Sequence, residues 1–430
     1  MLESPNGSKD GVLKYVQPTL IQEAPAVACK CKSTQKRVTL SRSFSEATLR
    51  NLKEEFPADF ASPLAGEGFP PFDRYDLGQR VTNPVQTPRN ILITGGAGFI
   101  GSYVTRKLVL LYPEYYIVNV DLLDYCGSLK SLELIENAPN YTFVRGDITS
   151  SDFMNFILRE KNIDTIIHLA AQTHVDNSFG DSFEFTKNNV MGTHVLLEAA
   201  KVNNIQRFIH VSTDEVYGEV SRSSPDCHEE SILAPSNPYS ATKAAAECLV
   251  KAYHKSFGLP TIITRSNNVY GPYQYPEKIC SKFICSLVNK KKCFIHGDGS
   301  NSRRYLYAAD VADALDLIAH NGEIGEVYNI GSQFEITNLK LAYKLIEQFH
   351  PQEPPQEYLE FVQDRAFNDR RYAVDSSKLE KLGWNPRTPF DFGLEKTIAW
   401  YREHGNTWWG DISCALVPHP LKKIPDALIH

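Results

Sequence analysis

The sequence predicts an α/β fold, a doubly wound parallel sheet followed by a smaller region of mixed structure toward the C-terminus. Three observations carry the prediction. From Asn90 onward, short apolar runs alternate with longer helical patterns. A glycine-rich turn joins the first run to the first helical pattern. After Ser266 the alternation gives way to loops rich in Tyr, Pro and Arg. Short buried strands between longer helices form βαβ units, whose crossover helices cover both faces of a parallel sheet.

Residues 1–88 stand apart from this pattern. Nine of the 25 prolines fall there, with Ser, Gln and Lys between them and no sustained periodicity. The stretch reads as a mobile extension that buries too little apolar surface to offset its ordering entropy, with one short amphipathic helix in SFSEATLRNLKEEF (43–56). Residues 89–266 read as the nucleotide-binding domain. Its strands are NILIT (90–94), YYIVNVD (115–121), YTFVRGD (141–147), IDTIIHLAA (163–171), RFIHVS (207–212) and PTIITRS (260–266). Between them lie the helical patterns SYVTRKLVLLY, FEFTKNNVMGTHVLLEAAKV (183–202) and YSATKAAAECLVKAYHKSF (239–257).

Residues 305–332 read as a further unit returning to that domain, with the helix LYAADVADALDLIAH (306–320) and the strand VYNIGS (327–332). Residues 267–304 and 333–410, with helices at 339–349 and 394–404, form the second region. The tail 411–430 is expected to pack as coil.

Composition excludes several functions. A formal charge of −6 without a continuous basic tract argues against coating nucleic acid or an anionic membrane. No apolar run reaches the roughly 18 residues of a membrane span. The polar, partly acidic N-terminus is unlike a secretory or mitochondrial leader. Nine scattered cysteines read as thiols of a reducing compartment, hence the cytoplasm, and Cys29-Lys-Cys31 lacks the second pair that a zinc site needs, so no metal is expected.

Gly95, Gly98 and Gly101 lie in TGGAGFIG (94–101), between a strand and a helix. In such a turn one glycine permits the tight bend, one lets backbone N–H groups approach a pyrophosphate, and one lets helix pack on strand. The helix N-terminus favours the anion. The spacing is G-x-x-G-x-x-G rather than the more familiar G-x-G-x-x-G. Asp121 ends the second strand, 20 residues past Gly101, where an acid binds the adenosine ribose hydroxyls and repels a 2′-phosphate. The sheet is therefore expected to be of the Rossmann type, with NAD rather than NADP as cofactor. Asp147 and Ile148, in GDI (146–148), fall at the adenine side. Leu169, Ala170, Ala171 and Thr173, in LAAQT (169–173), fall at the nicotinamide side. Either motif could instead be an ordinary polar strand end.

Tyr239 and Lys243 stand one turn apart on a helix face, where a nearby ammonium favours the phenolate. Y-x-x-x-K is common on helix surfaces, and Asp-Glu is common in polar loops. The company changes both readings, because Thr213, Asp214 and Glu215 end the strand just before that helix and follow a dinucleotide-binding turn.

These motifs resemble the extended short-chain dehydrogenase/reductase family. Within it, STDEVYG, NPYSATKAAAE, NNVYGPYQYPEK and DRAFNDRRYAVD are similar to nucleoside-diphosphate-glucose 4,6-dehydratases. QTHVDNSFGDSFEFTKNN, HGDGSNSRRYLY and WWGDISCALVPHP resemble the dehydratase half of plant UDP-rhamnose synthases and related fungal enzymes. The resemblance spans about residues 89–410 and implies NAD-dependent dehydration of UDP-glucose to UDP-4-keto-6-deoxyglucose. Tyr239 takes the proton of the sugar 4-hydroxyl, which Thr213 hydrogen-bonds. Glu215 removes the C5 proton, and a protonated Asp214 donates to the departing 6-hydroxyl. The two carboxyls need environments that separate their pKa values.

The resemblance further implies that Phe99, Ile100, Asp124, Val269, Tyr239 and Lys243 contact NAD. Thr173, Asn268, Lys278, Arg303, Asn329 and Arg365 would hold the substrate, arginine suiting phosphate through its planar fork. Asn368 stands where the bacterial pattern has His, and Ala366-Phe367 where it has Pro-Gly, which weakens transfer of their nucleotide preference. The family also implies a homodimer through helices 183–202 and 239–257, and a separate epimerase/reductase acting on the product. Three alternatives stay open. They are dTDP-glucose as substrate, a nucleotide-sugar 4-epimerase or decarboxylase on the same scaffold, and a non-catalytic NAD-binding scaffold.

Overall fold

Side-chain alternation along the central strands sorts apolar residues into two layers. Ile91 and Ile93 face one way with Ile117, Ile167 and Ile209, whereas Leu92 faces the other with Val118, Ile166 and Phe208. Each layer is closed by helices. Tyr103, Val104 and Leu108 of the helix Phe99–Leu111 cover the first together with Val311, Leu315 and Ile318 of the helix Ala308–Asn321. The second is covered by Met154, Ile157 and Leu158 of Ser151–Glu160, Leu196 and Leu197 of Gly192–Val202, and Val250 and Tyr253 of Pro238–Phe257. This computed structural model describes residues 72–364 and 367–418.

The sheet so enclosed has seven strands. They are β1 (Asn90–Thr94), β2 (Tyr116–Asp121), β3 (Tyr141–Arg145), β4 (Thr165–His168), β5 (Arg207–Thr213), β6 (Thr261–Ser266) and β10 (Val327–Ile330), in the order β10-β6-β5-β4-β1-β2-β3. Every pairing is parallel. The chain winds outward from β1 through β2 to β3, then returns to β4 on the other side. The order therefore reverses between β1 and β4, where open sheets of this kind leave a crevice at the strand ends. The predicted Rossmann-type sheet is the one observed.

Four short strands and a longer one lie outside it. β7 (Asn268–Tyr270), β9 (Ser302–Tyr307) and β11 (Glu335–Thr337) make a small mixed sheet, while β8 (Cys293–His296) pairs with β12 (Leu359–Val362). None was predicted. The expected helix at 306–320 starts two residues later, at Ala308, because β9 runs to Tyr307. The expected helix at 183–202 is interrupted by a π-helical turn, Thr186–Met191.

The expectation of a mobile extension fails for residues 72–88. Asp73 caps the short helix Arg74–Leu77, and the buried Lys396 donates to Asp73 Oδ2 at 2.9 Å and Asp76 Oδ2 at 2.8 Å. Lys107 Nζ adds bonds to the carbonyls of Leu77 and Gln79. A cation more than 300 residues away holds this segment, and no local pattern reports it. The helix expected at 43–56, Cys29 and Cys31, Arg365 and residues 419–430 lie outside the described residues. Among those described, residues 407–418 form turns and coil with Ile412 and Leu416 buried, and no helix is long and apolar enough to cross a membrane.

Candidate active site

The crevice is a cavity of about 390 Å³ at the ends of β1, β2, β4, β5 and β6. At β1 the chain turns through Gly95, whose φ is +74°. A Cβ there would stand 2.7 Å from the Ala170 backbone, and one on Gly101 would stand 2.1 Å from the Gly95 carbonyl oxygen. Only glycine lets the turn form and the helix seat on it. Gly98 then caps Phe99–Leu111 with no side-chain hydrogen bond, leaving helix-end N–H groups for an anion. Asp121 lies beside this turn, accepting from Ala97 N at 2.9 Å and Leu123 N at 2.8 Å. Burial pushes its carboxyl up, and the backbone bonds oppose that.

The predicted cofactor residues all line this cavity: Gly95, Gly98, Phe99, Ile100, Gly101, Asp121, Asp124, Asp147, Ile148, Leu169, Ala170, Ala171, Thr173, Tyr239, Lys243 and Val269. The bare helix end, the glycine turn and the acid at β2 fit NAD.

The reactive side chains gather where β5 meets the helix Pro238–Phe257. Asn237 caps that helix and Pro238 opens it, which fixes Tyr239 in its first turn. The Asn237 amide oxygen accepts from Ser240 N as the cap, and its nitrogen Nδ2 donates to Glu215 Oε2 at 3.3 Å. Thr213 closes β5 and caps the short 3-10 turn Asp214–Tyr217, accepting from Glu215 N. Asp214 is 2% exposed and accepts from Asn267 Nδ2 at 2.7 Å. Burial pushes its carboxyl up to about 7, the Asn267 bond opposes this, and Glu215 adds to it. Burial also raises Glu215, but there Lys278 is the first group to pull the other way, while Arg303 opposes the rise at both carboxyls. The two neighbours therefore sit in unlike surroundings.

Tyr239 is buried, and its phenol is pushed up by burial, then by Glu215, with the Thr213 hydrogen bond opposing. Lys243 is equally buried and donates to the Val211 carbonyl at 2.7 Å. Burial brings it down to about 8, against the pull of Glu247. The group the structure sets in favour of the phenolate is thus Thr213, whereas Lys243 is anchored to β5.

Of the predicted substrate contacts, Thr173, Thr213, Asn268, Lys278 and Arg303 line the cavity. Lys278 Nζ donates to the Thr173 carbonyl at 2.6 Å, and the Arg303 guanidinium lies 4.5 Å over the Tyr372 ring. Asn329 does not join them. It is fully buried in β10, its amide bonded to Tyr217 Oη, the Cys227 carbonyl and the Asp375 carbonyl. Sequence reasoning missed Asn237, Asn267 and Glu277, which takes a 2.7 Å bond from Tyr125 Oη. Asn267 and Glu277 each adjoin a residue that was singled out, and Asn237, two positions before Tyr239, was legible as a cap before proline. Among the described residues no cluster of His, Cys, Asp and Glu could hold a metal ion.

Comparison with known proteins identifies relatives of the chain. Residues 92–397 match the family described as GDP-mannose 4,6 dehydratase. The chain is 56% identical over 335 residues to an Arabidopsis thaliana trifunctional UDP-glucose 4,6-dehydratase/UDP-4-keto-6-deoxy-D-glucose 3,5-epimerase/UDP-4-keto-L-rhamnose-reductase, a match covering 77% of this chain and 50% of the relative. It therefore spans about half the length of that protein. It is 47% identical over 336 residues to human dTDP-D-glucose 4,6-dehydratase, covering 77% of this chain and 95% of the relative. The crystal structure of dTDP-glucose 4,6-dehydratase from Streptomyces venezuelae with NAD bound superposes with a TM-score of 0.71 at 38% identity, over 74% of this chain and 98% of that one.

Proposed function

Because the chain belongs to the GDP-mannose 4,6 dehydratase family, we propose that it dehydrates UDP-glucose to UDP-4-keto-6-deoxyglucose with a tightly held NAD. The observation that carries the proposal is the pair Asp214–Glu215, two carboxyls in unlike surroundings within one cavity beside Tyr239. An epimerase has no need of that pair.

NAD, when bound, supplies the hydride acceptor for sugar C4 and the donor for C6. Tyr239 takes the proton of the 4-hydroxyl, and Thr213 orients that hydroxyl. Ketone formation at C4 acidifies the C5 proton, which Glu215 then removes. Asp214, with its carboxyl up at about 7, enters protonated and donates to the departing 6-hydroxyl, so that water leaves. Lys278 and Arg303 hold the diphosphate, with Asn268 nearer the sugar. Arg365 belongs to the same set of proposed contacts.

Identity to the plant relative favours UDP-glucose. dTDP-glucose is the second reading, favoured by the human relative. Purified protein offered each nucleotide sugar separately tests both. A product lighter by one water and carrying a 4-keto group supports the proposal, and the faster substrate decides the nucleotide. Conversion of UDP-glucose to UDP-galactose alone would contradict it.

The proposal extends to a cytoplasmic homodimer feeding a separate epimerase/reductase. The names of the plant relatives' other activities support the last step. Exposed Phe183, Met191, Val202 and Phe257, on the helices expected at the dimer face, support the second. Free Cys280, Cys285 and Cys293, buried and unpaired with one another, support a reducing compartment.

A further inference from the structure

One bulky residue, directly before the stretch Gln274–Lys278 that lines the cavity, is held in a backbone conformation it disfavours. Tyr273 has φ +70°, a left-handed value that a bulky side chain rarely adopts and that persists only where the surroundings impose it. The surroundings are aromatic. The ring packs against Trp400 at 5.0 Å, Trp408 at 5.4 Å and Tyr103 at 6.0 Å between centroids, and the buried Arg106 guanidinium lies 4.4 Å over its face. Two residues on, Tyr275 meets Trp409 edge-on at 5.8 Å. The turn then delivers Glu277 and Lys278 into the cavity. Trp408 and Trp409 are themselves fixed, since Lys130 Nζ donates to the Trp408 carbonyl at 3.0 Å and the buried Ile412 and Leu416 anchor the residues that follow.

We propose that the segment Trp408-Trp409 is a positioning element for the substrate's diphosphate, acting through the strained turn at Tyr273 on Lys278. The proposal rests on the functional reading above, which assigns Lys278 to the diphosphate. It gives a role to the WWGD motif, which lies away from the helix and strand ends that carry the chemistry. Releasing either indole lets the turn relax toward ordinary backbone angles and moves Lys278 off the phosphate, while the glycine turn that holds NAD keeps its own supports.

The test uses the full chain with its bound NAD, comparing Trp408→Leu, Trp409→Leu and Trp408→Phe alone and on a Lys278→Met background. Both indoles are only half-buried, so the variants are expected to fold, and each acts on a different ring of the turn should the other not. The readouts are KM and kcat for UDP-glucose, calorimetric Kd for UDP, and NAD content. Either leucine variant should raise KM and Kd about tenfold, with kcat within about threefold and NAD content unchanged, and Trp408→Phe should restore most of the loss. On the Lys278→Met background the same change should move Kd less than about twofold. An unaltered Kd in a folded leucine variant overturns the proposal. So does a full tenfold effect that persists without Lys278, which marks a merely structural role. A parent that binds UDP but turns over neither nucleotide sugar contradicts the functional reading, and the Kd cycle still judges the positioning. A parent that binds neither nucleotide overturns both.

Discussion

Asp214→Asn should make the protein more stable while removing its activity. A carboxyl with 2% exposure, raised from an ordinary 3.8 to about 7, resists ionisation in the folded chain and not in the unfolded one. The folded state therefore binds the extra proton between those values. Its stability is full below about pH 4 and falls as pH rises toward 7. At about 1.4 kcal/mol per pH unit, the ionised carboxyl costs the fold on the order of 4 kcal/mol near pH 8. The asparagine keeps an oxygen for Asn267 Nδ2 and carries no charge, so most of that cost disappears. Urea unfolding of parent and variant near pH 8 should show the variant ahead by roughly 2–4 kcal/mol, with the gap closing near pH 4.5. A parent more stable than the variant near pH 8, or a gap independent of pH, would refute the claim that Asp214 is a strained acid.

Other substitutions probe the remaining parts of the site. Glu215→Gln should slow formation of the dehydrated sugar by about 100-fold or more in a single turnover, whereas oxidation at C4, followed by nicotinamide absorbance, changes far less; equal slowing of both would remove Glu215 from the C5 step. Glu247 raises Lys243, so Glu247→Gln should take Lys243 below about 8 and move the alkaline limb of the kcat profile to lower pH; a limb that moves upward contradicts the assignment. Gly101→Ala puts a Cβ 2.1 Å from the Gly95 carbonyl oxygen and should yield protein purified without NAD, measured by the absorbance released on denaturation.

Legibility followed the range of the interactions. Strands such as Ile91–Ile93 and the turn at Gly95 depend on neighbours a few residues away, so their spacing announces them. Asp121 and the Tyr239–Lys243 pair are also local, being set by where a strand ends and how a helix repeats. The clasp at Asp73 and Asp76 depends on Lys396, and nothing nearby marks it. β9 carries Arg303 and Arg304 and reads as surface, yet Arg304 is buried against Asp226 at 2.6 Å. Asn329 misled for the opposite reason. Its motif matched a family contact, but three hydrogen bonds from distant segments occupy its amide. The unlike surroundings of Asp214 and Glu215 were required by the chemistry, but their causes, Asn267 bonded to Asp214 and the Lys278 charge near Glu215, come from residues 53 and 63 positions along the chain.

The central claim is that one cavity oxidises C4, eliminates water across C5 and C6, and reduces C6 without net redox change. UDP-glucose carrying deuterium at C4, converted by the purified protein and read by NMR, tests it most directly. The account predicts a 4-keto-6-deoxy product with the deuterium at C6. Deuterium retained at C4, as in an epimerised product, or released to solvent would contradict it.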